Sequence, residues 1–227
     1  MPDDFATRVS GIGALAEPAR RALYDFVVAA AEPVSREQAA DGVGVPLHSA
    51  KFHLDRLVAE GLLEVEFRRL TGRTGPGAGR PSKLYRRARR QVTVSLPDRR
   101  YDLAGEILAS AVDRAGAERV PVDLAVREAA EQAGRRAGSA AGSAGDCSRV
   151  LAAHGYEPRS RGEEILLGNC PFDALVREHT RLVCGLNQCF IGGVLDGLGC
   201  GELEAVLDPE PGLCCVKVRP RPSASPG

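Results

Sequence analysis

Apolar residues recur at helical spacing over residues 12–31, where Ile12, Leu15, Ala19, Leu23, Phe26 and Val27 share a face and Glu32-Pro33 closes the run. Ser35, followed three residues later by Gln38, has the form of a capping box and predicts a short helix ending near Asp41-Gly42. Pro46 suits the first turn of a third helix that reaches about Glu60, with Gly61 as its C-cap. In that helix Ala50, Leu54, Leu57 and Val58 form the buried stripe, which leaves Leu47, His48, Ser49, Lys51, Phe52 and Arg56 facing elsewhere. Alternation over residues 62–68 predicts a strand, and residues 83–87 a second one, with Gly and Pro crowding the stretch between them.

The same reading continues along the second half. Residues 98–117 predict a helix capped by Asp98, with Leu103, Ile107, Leu108, Ala111 and Val112 as its apolar stripe. Another helix is expected over 123–136, and the small residues from Gly134 to Gly145 read as a loop. A helix near 147–154, a strand near 163–167, a helix opening at Asn169-Cys170-Pro171 and another over 182–198 follow. Two strands, 204–208 and 214–218, enclose an Asp-Pro-Glu-Pro-Gly turn. The expected fold class is α+β, in three parts: an N-terminal domain over 1–95, a linker or dimerisation helix over 96–118, and a cysteine-rich α+β domain over 119–227.

Charge changes the picture. The formal net charge is zero, yet basic residues outnumber acidic ones over the first hundred positions and the reverse holds beyond them. Nine Lys and Arg and no acidic residue lie between Arg68 and Arg90. Two short helices joined by a tight turn, followed by a basic hairpin, make a winged helix-turn-helix, whose expected partner is double-stranded DNA. The candidate contacts are His48, Ser49, Lys51, Phe52 and Arg56 near the groove, with Arg73, Arg80, Lys83 and Arg86 on phosphates or in the minor groove. Tyr85 is expected to pack the hairpin, and His53 to serve DNA contact or packing. Regulators of this build read palindromes as dimers, so a homodimer is expected.

Helix, capped helix, Pro-Leu-His-Ser-Ala-Lys-Phe-His-Leu-Asp-Arg-Leu, then Gly-Arg-Pro-Ser-Lys-Leu-Tyr-Arg resembles the ArsR-like winged-helix transcriptional regulators over roughly residues 10–90. The resemblance implies a transcriptional regulator, with repression as the expected sense. No positively charged leader precedes an apolar run, and no apolar stretch approaches about 18 residues, so a cytoplasmic chain with no membrane partner is expected. Neither a P-loop, a dinucleotide fingerprint nor a nucleophile elbow is visible, so no enzymatic activity is expected.

Six of the seven cysteines fall between Asn169 and Cys215. In a reducing compartment such a group reads as metal ligands or redox thiols rather than a disulfide framework. Cys170 before Pro171 stands at a helix start, where the helix dipole lowers a thiol pKa. Cys184 and Cys189 lie about 140° apart around one helix axis, and Cys189 and Cys200 share a face but stand about 16 Å apart along it. Cys214 and Cys215 are adjacent in the predicted strand and point to opposite sides, so they are not expected to ligate the same metal ion. The candidate ligands are accordingly Cys170, Cys184, Cys214 and Cys189, with Cys215 and Cys200 as alternates. His179 lies between two of these and reads as a helix-end or core residue, with ligation as the other possibility. Asn-Cys-Pro-Phe, Val183-Cys184 and Cys214-Cys215 resemble the C-terminal part of SufR-like iron–sulfur repressors. The resemblance implies an iron–sulfur cluster; zinc is the other candidate, and wide ligand spacing favours the cluster. A regulator that binds a small organic ligand, its cysteines structural or zinc-binding, stays open.

Overall fold

The computed structural model describes residues 4–68, 81–142 and 146–222, and divides after Val94 into two compact units. The first contains α1 (Asp4–Ala14), α2 (Pro18–Ala29), β1 (Val34–Ser35), α3 (Arg36–Val43), α4 (Leu47–Ala59), β2 (Leu63–Arg68) and β3 (Ser82–Arg87). The single apolar run over 12–31 is two helices. Pro18 starts α2 at its first turn, and the Glu17 carboxylate caps it by accepting from the Ala19 and Arg20 N–H groups at 3.2 and 2.6 Å.

The capping box of α3 forms as its sequence predicts. Ser35 Oγ accepts from Gln38 N–H at 3.2 Å, and Gln38 Oε1 accepts from Ser35 N–H at 2.7 Å. Gly44 ends α3 in the left-handed conformation (φ 73°), so the helix runs to Val43, one residue past the expected stop at Asp41-Gly42. Pro46 is the residue before α4 rather than its first. Leu54, Leu57 and Ala50 of α4 meet Leu23 and Val27 of α2 and Ala39 and Ala40 of α3 in a closed core. The sheet order is β1-β3-β2, all antiparallel; β1, which has too few residues to show a pattern, was not expected.

The second unit comprises α5 (Tyr101–Glu118), α6 (Val122–Ala141), α7 (Cys147–Ala153), β4 (Pro158–Arg161), β5 (Glu164–Leu167), α8 (Asp173–Leu198), β6 (Leu203–Leu207) and β7 (Val216–Pro220). Its antiparallel sheet runs β4-β5-β7-β6, so strands distant in sequence are joined through the β5–β7 pair. Leu103, Ala104, Ile107 and Ala111 of α5 are buried in this unit's core, while Val112, expected on the same stripe, is 63% exposed. Asp98 does not cap α5, whose N-cap is Arg100.

The largest departure is at 134–141, expected as a loop and found as the last two turns of α6. Gly134 and Gly138 face Gly193 and Gly197 of α8. A Cβ on Gly134 would enter the space of the Phe190 carbonyl oxygen, and one on Gly193 that of the Glu131 carbonyl oxygen. These glycines are small because two helix backbones touch there, not because the chain turns. The helix expected over 182–198 is likewise the second part of a longer α8, which leaves helical geometry only at His179 (φ −131°, ψ 44°). Among the described residues no helix is long and apolar enough to cross a membrane.

Candidate nucleic-acid face and thiol site

On α4 the outward face is built by spacing alone. Leu47, His48, Lys51, Phe52 and Arg56 are exposed, with Phe52 at 65%, while Ser49 is half-buried. Phe52 meets the His53 ring edge-on, and His53 turns inward, its Nδ1 accepting from Arg20 Nε at 3.3 Å. Packing against α2 is thus the role His53 performs. Arg56 is paired with Glu60 at 2.5 Å one turn along.

The hairpin qualifies the expected basic arm. Glu64 stands directly opposite Arg86 across β2 and β3, and the two pair at 2.9 Å. Lys83 Nζ donates to Asp55 Oδ1 at 2.5 Å, and the Tyr85 hydroxyl donates to the same oxygen at 3.2 Å. Burial opposes ionisation of Asp55, but the Lys83 hydrogen bond and charge outweigh it and hold the carboxyl below its usual value. Asp55 was not among the expected residues. Its position one turn from Lys51 on the outward face was the available signal. Arg73 and Arg80 lie outside the described residues.

In the second unit four thiols that are far apart in sequence meet. Cys170 lies in the turn before α8, Cys184 is buried on α8, and Cys214 and Cys215 precede β7. Cys215 Sγ donates to Cys184 Sγ at 2.6 Å, and Cys170 and Cys215 both lie close enough to Cys214 to shift its titration. Asn187 of α8 donates its amide N–H to Cys214 Sγ at 3.1 Å, and its Oδ1 accepts from the buried Tyr156 hydroxyl. Cys214 N–H in turn bonds the Leu167 carbonyl at the end of β5 at 2.8 Å.

Two expectations fail here for physical reasons. Cys214 and Cys215 sit in a bend rather than a strand, so the alternation rule does not separate them, and both join the group. The Cys170 thiol is raised rather than lowered, chiefly because it donates to Cys214 and then because it is buried; the Phe172 N–H pulls the other way and loses. Cys214 is held well below the ordinary thiol value, chiefly by the neighbouring Cys170 and Cys215 thiols and also by the Val216 and Asn187 N–H groups, against the cost of burial. Cys215 is raised, first by its bond to Cys214.

Cys189 and Cys200 are not in this group. Cys189 lines a small cavity of about 210 Å³ with Glu131 and Gln188. Cys200 follows the C-cap of α8, close enough to Cys147 to raise that buried thiol, after burial itself, to about 12. His179 is exposed at the kink, and His154 bonds the Val150 carbonyl at 2.8 Å at the end of α7.

As a donor set, four convergent thiols with an amide N–H on one sulfur suit a thiophilic metal or an iron–sulfur cluster. The Cys184 and Cys215 sulfurs stand closer together than two ligands of one metal ion would. Among the described residues no three or more His, Cys, Asp or Glu side chains are already arranged about a metal position. Thiolates bound tetrahedrally at about 2.3 Å stand about 3.8 Å apart, so loading would spread the Cys184–Cys215 pair by about an ångström and release protons.

A family model described as a helix-turn-helix domain matches residues 15–66, from the turn before α2 into β2. Comparisons with curated proteins and with solved structures gave no match. The first unit thus contains a helix-turn-helix domain, which supports a DNA-binding regulator.

Proposed function

We propose that this chain is a cytoplasmic, dimeric transcriptional regulator related to the ArsR-like winged-helix and SufR-like repressors. In this reading Cys170, Cys184, Cys214 and Cys215 hold an iron–sulfur cluster, or failing that zinc, whose presence alters operator affinity. One observation carries it: thiols from three separate places in the chain converge on one half-buried spot, with an N–H donor already aimed at a sulfur. Scattered core cysteines have no reason to do so. A bound cluster would supply sensitivity to oxidants and to iron–sulfur supply, and the Asn187 amide would tune the sulfur it touches.

The decisive measurement is visible absorption of protein purified without oxygen, with iron, sulfide and zinc analysis. Bound metal is expected at a fixed ratio to chain, lost in Cys170→Ser, Cys184→Ser, Cys214→Ser and Cys215→Ser, and retained in Cys189→Ser and Cys200→Ser. Colourless, metal-free protein would overturn the reading. It would leave the small-ligand alternative, for which an open cleft of about 570 Å³ beside the α8 kink, lined by Asp123, Arg127, His179 and Leu186, is the available space.

A further inference from the structure

The segment leading from the first unit into α5 is stitched to the Cys170 turn by consecutive residues. Asn169, only 6% exposed, uses both ends of its amide. Its Nδ2 donates to the Asp98 carbonyl at 2.8 Å and to the Gly155 carbonyl at 2.6 Å, and its Oδ1 accepts from Arg99 Nη1. The same Arg99 nitrogen donates to the Cys170 carbonyl at 3.0 Å. Arg100 N–H bonds the Pro171 carbonyl at 3.1 Å, and the Tyr101 hydroxyl accepts from Ala174 N–H at 3.3 Å. Arg99 N–H is held in turn by Ser95 Oγ at 2.9 Å, at the first residue of the second unit.

The chemistry of this joint is specific. Cys170 offers its sulfur to the thiol group and its carbonyl to Arg99, and Asp173 N–H bonds that same carbonyl at 3.2 Å. The turn is therefore short and tied at both ends, and a Cys170 sulfur that moves on binding a metal shifts the carbonyl that holds Arg99. Hydrogen bonds at about 3 Å tolerate little such motion before weakening. An apolar contact would slide; a guanidinium shared between a carbonyl and a buried amide has to re-form elsewhere.

We propose that Arg99 is a positioning residue that couples the Cys170 turn to the segment leading into the helix-turn-helix unit, so that sulfur chemistry at Cys170 and DNA binding bias each other. The proposal deepens the metal-sensing reading and rests on it for what moves the sulfur in the cell. A purely structural Arg99 would anchor α5 and transmit nothing.

Coupling is reciprocal, so it can be read from either end. The experiment measures alkylation of Cys170 by iodoacetamide, by peptide mass spectrometry, in full-length protein purified without oxygen. It is run with and without a duplex covering the region upstream of the protein's own gene, with Cys189 as internal reference. In the natural chain the duplex is expected to change the Cys170 rate about tenfold and to leave Cys189 unchanged. In Arg99→Gln the difference should fall to within about twofold, and Arg99→Lys, which keeps the charge and a donor, should restore part of it. A duplex without effect on Cys170 in the natural chain overturns the proposal, as does an undiminished effect in Arg99→Gln. Should Arg99→Gln fail to fold, Arg99→Lys decides: a full wild-type difference counts against the proposal, and a reduced one for it. Metal analysis of the same samples is separate. Metal-free protein that still shows the alkylation difference would sink the metal-sensing reading and leave the coupling standing.

Discussion

The two units present their chemistry in opposite ways. In the first, the candidate DNA face is a run of neighbours on one helix, Leu47 to Arg56, exposed because the other side of α4 is filled by Ala50, Leu54 and Leu57. In the second, the candidate site is assembled from a turn at 170, a helix at 184 and a bend at 214 and 215, and exists only when α8 and β7 are docked. A site made of neighbours survives local disturbance, whereas a convergent site depends on the packing of everything that carries its parts.

The comparison can be broken most forcefully at the glycine seam. Gly134→Val drives a branched side chain into the backbone of α8, and overpacking of this kind costs about 1–3 kcal/mol, more where backbone must move. The expected outcome is a lower melting temperature by circular dichroism together with loss of metal, while a fragment-sized DNA-binding response of the first unit persists in gel shift. Metal content unaffected by a destabilised seam would show that the thiols do not depend on α6–α8 docking.

Within the first unit the contrast is between Lys51 and Lys83. Lys51 is exposed on the outward face, whereas Lys83 is engaged by Asp55. Lys51→Ala should therefore reduce the salt slope of DNA binding by about 1, and Lys83→Ala by clearly less. Equal reductions, measured by fluorescence anisotropy over a salt series, would mean that Asp55 releases Lys83 on DNA.

The smallest expected effect concerns pH. Asp55 titrates below its usual value of 3.8. A depressed carboxyl contributes stability above its unfolded pKa and loses it only as pH falls through the lower folded one. The Asp55–Lys83 clamp is accordingly intact throughout pH 5–8, and the ratio of DNA affinities of Asp55→Asn to the natural chain should be flat across that window. A step inside it would assign the titration to another group.

How legible each region was follows from how local its causes are. Ser35 and Gln38 are three residues apart and satisfy each other's backbone N–H groups, so α3 could be read from its start. Gly134 to Ala141 could not, because a glycine that allows two helices to touch and a glycine that allows a turn are the same letter. The inclusion of Cys215, in place of Cys189, was hidden by the bend that puts two adjacent residues on one site, since β7 begins only at Val216. Asp55 was overlooked because its partner, Lys83, lies 28 residues away on another element.

What the sequence by itself determined is the set of things decided within a few residues: the capped helices, the outward face of α4, the basic hairpin strands, and the concentration of thiols after Asn169. Periodicity and capping act through hydrogen bonds and burial inside one helix or strand, so they are written in adjacent letters. Only the tertiary structure decided that α6 runs on through its glycines, that Lys83 is spoken for, and that Cys170, Cys184, Cys214 and Cys215 come together. Those outcomes depend on which surfaces come together, and contact between distant segments is set by the packing of the whole unit rather than by any stretch of it.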